Sequence, residues 1–154
     1  MRQNGFSLIE ILLAAGILAV LATLAFSAYT GYRTGVEAEE EINKIRSTLR
    51  EAQGNAIGFL QNSQWGVRFS NPTVGDPLYE LFYGVSYPGT IQETTYLSSR
   101  FTFTSPVSGS SRDILFEKRS GRSTSAHTIT ITIQPRSGTE PIKNVSVTQE
   151  GNIE

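Results

Sequence analysis

The sequence predicts an α+β fold, in which a long amino-terminal helix packs on a mostly antiparallel β-sheet head. Helical patterning is confined to about the first 60 of the 154 residues. The rest consists of short alternating segments between turn-rich stretches, with no βαβ alternation that would indicate parallel strands. We therefore predict four segments: a short polar segment at 1–5, an apolar half-helix at 6–35, an amphipathic half-helix at 36–60, and a β-rich head at 61–154.

The apolar half-helix has the length of a membrane span. Residues 6–26 carry a single charge, Glu10, and a run of about 21 residues makes roughly 31 Å of helix, enough to cross a bilayer. Arg2 precedes the run on the presumed cytoplasmic side, and Tyr29 and Tyr32 follow it as interfacial residues do. A carboxylate in such a segment must protonate or find a cation. No cation lies within the run, so Glu10 predicts a partner on another chain.

The second half of the helix is predicted to be amphipathic. Gly31 and Gly35 weaken the helix between the halves by up to about 1 kcal/mol each relative to alanine. Beyond them, apolar residues recur at steps of three and four and form one stripe that should pack on the sheet, while charged residues occupy the other faces. The stripe consists of Ile42, Ile45, Leu49, Ala52, Ala56 and Phe59.

The remaining chain predicts a series of strands. Residues 128–133 alternate threonine with isoleucine, which is the clearest strand pattern in the sequence. Other segments combine β-branched or aromatic residues with flanking turn residues. The predicted strands are 65–69, 78–83, 94–97, 100–104, 113–117, 128–133 and 145–148, and Gly151 precedes a last paired residue, Ile153.

The amino-terminal motif GFSLIE at residues 5–10 resembles the prepilin signature of type IV pilins and type II secretion pseudopilins. The resemblance implies that residues 1–5 are a leader, that a membrane-bound prepilin peptidase cuts after Gly5, and that the same enzyme N-methylates Phe6. It also implies that Glu10 neutralises the new amino terminus of a neighbouring subunit during assembly. The implied product is a single-pass inner-membrane protein with an exported head, which assembles with other pilin or pseudopilin subunits into an extracytoplasmic filament.

Two other interpretations of this end of the chain stay open. A secretory signal peptide could be cleaved near Ala28, but Glu10 interrupts what should be an uncharged segment. A plain single-pass anchor explains the length and Arg2, but neither Glu10 nor the Gly5-Phe6 pair.

A second resemblance covers the head. The last part of the chain resembles the carboxyl-terminal half of H-type minor pseudopilins and related minor pilins. The shared features are a strand ending near Phe116, a glycine turn, the threonine and isoleucine strand and a final V-x-V-x-x-x-G-x-I pattern. Residues 45–52 resemble the second half of their helix. The resemblance implies a structural subunit of a type IV pilus-like or type II secretion filament, most like a minor one.

Catalytic and cofactor chemistry find little support in the sequence. His127 is the only histidine, cysteine is absent, and no phosphate-binding glycine loop occurs, so we predict neither an enzyme nor a bound cofactor or metal. Calcium binding near Asp76 and Glu80 would require more oxygen ligands than this segment supplies, and turn formation explains Asp76-Pro77 better.

A basic cluster in the last third supports an alternative function. Certain minor pilins related to this family bind DNA through arginines in carboxyl-terminal loops, and a DNA-uptake pilus subunit is therefore the alternative interpretation. Aromatic residues that would stack on single-stranded DNA are not interleaved with the cluster. Solvated turns explain it more simply, since the chain has a net charge of −1. The candidate DNA contacts are Arg112, Lys118, Arg119 and Arg122.

Overall fold

The computed structural model describes residues 7–136 and 142–154. One α-helix, α1, spans Leu8–Ile57 without interruption at Gly31 or Gly35, and a short 3-10 helix follows at Leu60–Asn62. The strands are β1 (Trp65–Asn71), β2 (Leu78–Tyr83), β3 (Thr90–Tyr96), β4 (Phe101–Ser105), β5 (Ser110–Phe116), β6 (Ile129–Pro135) and β7 (Lys143–Val147).

The strands form two sheets in place of a single one. The larger has the order β3-β2-β1-β5 and the smaller β4-β6-β7, and every named strand pair is antiparallel. The predicted α+β class, with a long helix on an antiparallel head, is confirmed. Ile153 forms the predicted last pairing, an antiparallel bridge to Val147.

The amphipathic half of α1 supplies one wall of the core. Side chains of Ile42, Ile45, Leu49, Ala52 and Ala56 are at most 1% exposed, and α1 packs on strands of both sheets. Phe59 does not belong to this stripe, contrary to the sequence prediction, because α1 ends at Ile57 and Phe59 has a left-handed backbone with φ of 57°. Its ring instead faces Lys118 and Arg119, whose cationic groups lie 5.6 and 4.6 Å from the ring centroid.

A buried asparagine joins the two sheets. Asn71, the last residue of β1, is 3% exposed, and its Nδ2 donates to the carbonyl oxygens of Phe103 and Pro106 at 2.9 and 3.0 Å. Phe103 belongs to β4 of the smaller sheet. The backbone N–H of Gly109 donates to the carbonyl oxygen of Asn71 at 2.7 Å. Satisfied polar groups at this depth hold the sheets in one relative position.

The distal end of α1 is tied to the last turns of the chain. The Gln53 Nε2 donates to the carbonyl oxygens of Gly121 and Gly151 at 3.0 and 2.7 Å. Gly151 has φ of 90°, and a side chain there would collide with the Gly121 carbonyl and the Gln53 amide. Glycine at 151 therefore allows three separate segments to meet at one side chain.

Candidate functional site

The amino-terminal half of α1 is an apolar helix that the head leaves uncovered. Its most apolar 18-residue window has a mean hydropathy of 2.5, and none of that window is buried. Length and composition therefore suffice for a membrane span. Such a surface requires lipid or other helices around it. Its exposed large side chains are Leu8, Ile9, Ile11, Leu12, Leu13, Ile17, Leu18, Val20, Leu21, Leu24 and Phe26.

Glu10 lies on this helix beside small residues. Together with Ile11, Ala14, Ala15 and Leu18 it lines a shallow depression along one side of α1. Small side chains allow a second helix to approach closely, and a carboxylate next to them would lie at the contact. The role of Glu10 in assembly stays a prediction. Gly5 and Phe6, the predicted cleavage and methylation residues, lie outside the described residues.

Ion pairs fasten the base of the head to α1. Glu37 accepts from Arg33 Nε at 2.9 Å and from Arg100 Nη1 at 2.7 Å, and the Lys143 Nζ lies 2.9 Å from Glu39. Hydrogen bonds from Arg33 and Arg100 lower the pKa of the Glu37 carboxyl. The bond from Lys143 lowers the pKa of Glu39 in the same way. Arg100 and Lys143 belong to the head, so the carboxylates join it to the helix.

The predicted basic cluster is only partly brought together. Lys118, Arg119 and Arg122 lie in the turn after β5, whereas Arg112 pairs with Phe69 in the middle of that strand. Four residues of strand from Arg112 to Phe116 correspond to about 13 Å. All four basic side chains are exposed. DNA contact by them stays a prediction, and no observation on the described residues adds support to it.

The other residues considered in the sequence have ordinary surroundings. His127 is exposed, two residues before β6. Asp76 lies 3.7 Å from Arg136. Glu80 accepts from the Tyr87 hydroxyl at 2.9 Å and from Thr94 at 3.3 Å. Among residues 7–136 and 142–154, no group of three or more acidic, histidine or cysteine side chains could hold a metal ion.

The structure adds a polar groove that sequence reasoning missed. It runs between α1 and the sheet edge at β3, and no local pattern could have indicated it, because the docking of α1 on the sheet brings residues 51 and 93 to the same place. Burial raises the pKa of the Tyr79 hydroxyl, which lies in its wall, to about 12. The groove is lined by Lys44, Ser47, Thr48, Glu51, Tyr79, Glu93 and Thr95.

Comparisons with known proteins agree with this geometry. Residues 1–26 match a family described as the prokaryotic N-terminal methylation motif. The type II secretion system protein H of Aeromonas hydrophila is 28% identical over 97 residues, which cover 59% of this chain and 52% of that protein. The chain thus spans about half the length of this relative.

Solved structures match the fold over more of the chain. A crystal structure of the type IV minor pilin FimU of Pseudomonas aeruginosa aligns with a TM-score of 0.58 at 15% identity, covering 80% of this chain and 90% of FimU. A second crystal form of FimU aligns with a TM-score of 0.52. At this identity the likeness concerns the fold. In its methylation motif, its uncovered apolar helix and its likeness to protein H, this chain is thus similar to type IV pilins and type II secretion pseudopilins.

Proposed function

We propose that the chain is a structural subunit, a minor pilin or pseudopilin, of a type IV pilus-like or type II secretion filament. The uncovered apolar helix carries this proposal, because a surface of this kind is stable only in lipid or against other helices. The same helix can serve the precursor in the membrane and the mature subunit in the filament.

The proposed partners follow from the same helix and from the motif before it. A prepilin peptidase cleaves after Gly5 and methylates Phe6 at the cytoplasmic side. Other pilin or pseudopilin subunits then pack against α1. The precursor spans the inner membrane once with its head exported, and the mature subunit leaves the membrane as part of an extracytoplasmic filament. Its work is structural.

Mass spectrometry tests the processing step. The protein purified from a host that has a prepilin peptidase should start at N-methylated Phe6. Replacement of Gly5 by tryptophan should leave the precursor uncut, whereas Gly16→Ala, at a helix position with open space around it, should be cut normally. An intact leader in the unaltered protein, or a chain that starts near Tyr29, would contradict the proposal.

Filament recovery tests the assembly step. Filaments sheared from cells of that host and pelleted should contain the mature chain, and cells that lack the peptidase should yield none. Absence of the mature chain from sheared filaments and from the pellet of a secretion pseudopilus would overturn the structural role.

A further inference from the structure

One side of the head is acidic. Glu40 and Glu51 project from α1, and Glu93 projects from β3, the edge strand of the larger sheet. We call these three residues the acidic flank. Glu51 and Glu93 line the same groove, and the lysine that also lines it, Lys44, is paired with Glu41. All three side chains are exposed, and six of the seven residues of β3 are exposed as well, so this side of the head is open to a partner.

The other side of the head is basic. Arg46 and Arg50 project from α1, and Arg119 and Arg122 lie in the turn after β5; we call these four residues the basic flank. Gln53 donates to the carbonyl oxygen of Gly121, and the Arg119 N–H donates to the Ala56 carbonyl at 2.8 Å. These bonds hold the turn against the side of α1 on which Arg50 lies.

The fold places the two flanks on opposite sides. In the larger sheet, β3 and β5 are the two outer strands, so Glu93 and the turn after β5 lie at opposite edges. On α1, consecutive residues are about 100° apart, which places Glu51 and Arg50 on either side of the exposed ridge. The helix and the sheet therefore separate the charges in the same direction.

Among the described residues, most of these charges form no ion pair within the subunit. In the part of the chain that the structure describes, neither Glu51 nor Glu93 forms an ion pair, and the same is true of Arg50 and Arg122. By contrast, neighbouring helix residues such as Glu37 and Glu39 are paired with the head. Opposite charges on one small head are thus available to face each other across a boundary between subunits.

We propose that the acidic flank of one subunit contacts the basic flank of a second copy of this chain. This inference rests on the filament function proposed above. Two different, complementary surfaces on one chain make a heterologous contact, which joins subunits head to tail in a ring or an open helical array and does not form a symmetric dimer. Charge complementarity of this kind sets the direction and register of the contact more than its strength.

Energy transfer between full-length chains in neutral phosphatidylcholine vesicles tests the contact. The chain has no cysteine, so Ser86→Cys in the exposed loop after β2 provides one labelling position for donor or acceptor. Self-association should be weaker than in the labelled parent by roughly fivefold or more in R50E/R122E, and likewise in E51K/E93K, since each double variant replaces attractive charges at the boundary by repulsive ones. High salt should weaken the parent in the same direction.

Mixing the two double variants provides the decisive control. R50E/R122E keeps an unaltered acidic flank and E51K/E93K keeps an unaltered basic flank, so an equal mixture should restore the parental contact and with it energy transfer between the two variants. A variant that had merely lost its fold could not be rescued in this way. Failure of the mixture to restore transfer, or equal transfer in the parent and both double variants, would overturn the proposal.

Two further readouts distinguish failure of the flank contact from failure of the filament function. If both double variants enter sheared filaments as the parent does, the flank contact is wrong although the filament function stands. If the parent itself is absent from filaments, the proposed function fails. Salt-sensitive retention of DNA that R50E/R122E abolishes, with unchanged energy transfer, would assign the basic flank to nucleic acid and overturn the contact between copies.

Discussion

Leu49 is a fully buried residue in the centre of the amphipathic stripe of α1. It belongs to the core cluster that α1 forms with strands of both sheets. Interior packing leaves little room for relaxation, so the removal of three carbon atoms there leaves a cavity. Leu60, by contrast, lies beyond the end of α1 and is 49% exposed.

Leu49→Ala should therefore lower the free energy of unfolding by roughly 2–5 kcal/mol. The measurement is urea unfolding of a head fragment that begins near Val36, which we expect to fold without metal or reductant. Leu60→Ala is the matched control and should change stability by about 0.5 kcal/mol or less. A similarly small loss for Leu49→Ala would show that the side chain faces solvent or another subunit.

At the scale of the element, α1 carries two different surfaces on one continuous helix. Its first half is apolar on all sides and uncovered, whereas its second half buries one stripe and exposes charged faces. The ion pairs of Glu37 and Glu39 lie where the two halves meet and join the helix to the base of the head. This junction should respond to pH.

The lowered pKa of Glu37 determines the direction of that response. Its ordinary value is 4.5, and hydrogen bonds from Arg33 and Arg100 lower it in the folded state. The stabilisation is present above the unfolded value and is lost as the pH falls through the lower folded value. The unfolding temperature of a fragment that retains Arg33 should therefore fall as the pH drops below 4.5.

Glu37→Gln should flatten this pH dependence. Glu40 lies in the same stretch of helix but forms no ion pair to the described part of the head. Glu40→Gln should therefore leave the slope of unfolding temperature against pH unchanged. Thermal unfolding monitored by circular dichroism at several pH values measures this slope for the parent and for both variants. Equal slopes in the parent and in Glu37→Gln would exclude Glu37 as a source of the acid sensitivity.

At the scale of the whole molecule, a head with a packed core is attached to a helix whose first half the head does not bury. The head satisfies its own core and polar groups, since among the described residues no buried side-chain nitrogen or oxygen lacks a hydrogen-bond partner. The first half of α1 is not buried by the described part of the head, and an apolar surface of this kind requires lipid or other helices around it. Assembly should therefore depend on the helix and tolerate many changes in the head core that preserve the fold.

Glu10→Ala tests that dependence in cells. Membrane insertion and cleavage should be largely unaffected, because neither requires the carboxylate. Recovery in sheared filaments should fall, since removal of one partner of a buried ion pair typically costs about 3–5 kcal/mol. Thr23→Ala is the control, because that hydroxyl bonds only to the Val20 carbonyl of its own helix. Equal recovery of Glu10→Ala and the parent would remove the assembly role of Glu10.

Local sequence was sufficient to predict the fold class and to indicate the family resemblance. An apolar run of membrane length, a stripe with helical periodicity and alternating strands each depend on neighbours within a few residues. The six-residue motif at positions 5–10 carried the family resemblance. Segment 78–83, predicted as a strand because it is dense in aromatic and aliphatic residues, is β2 with the same bounds.

The edges of elements depended on contacts that are distant in sequence. β3 begins at Thr90, although only residues 94–97 were predicted, because backbone pairing with β2 extends the strand through exposed polar residues. Phe59 continued the helical periodicity, but the helix ended before it.

Packing in three dimensions established how the strands divide between two sheets and which charges lie on which side of the head. Residues 51 and 93 share a groove, and residues 50 and 122 share the opposite flank, because strand order and helix docking bring them together. Periodicity reports which face of an element is buried, but it does not report which elements become neighbours. That choice is made by contacts between segments far apart in the chain.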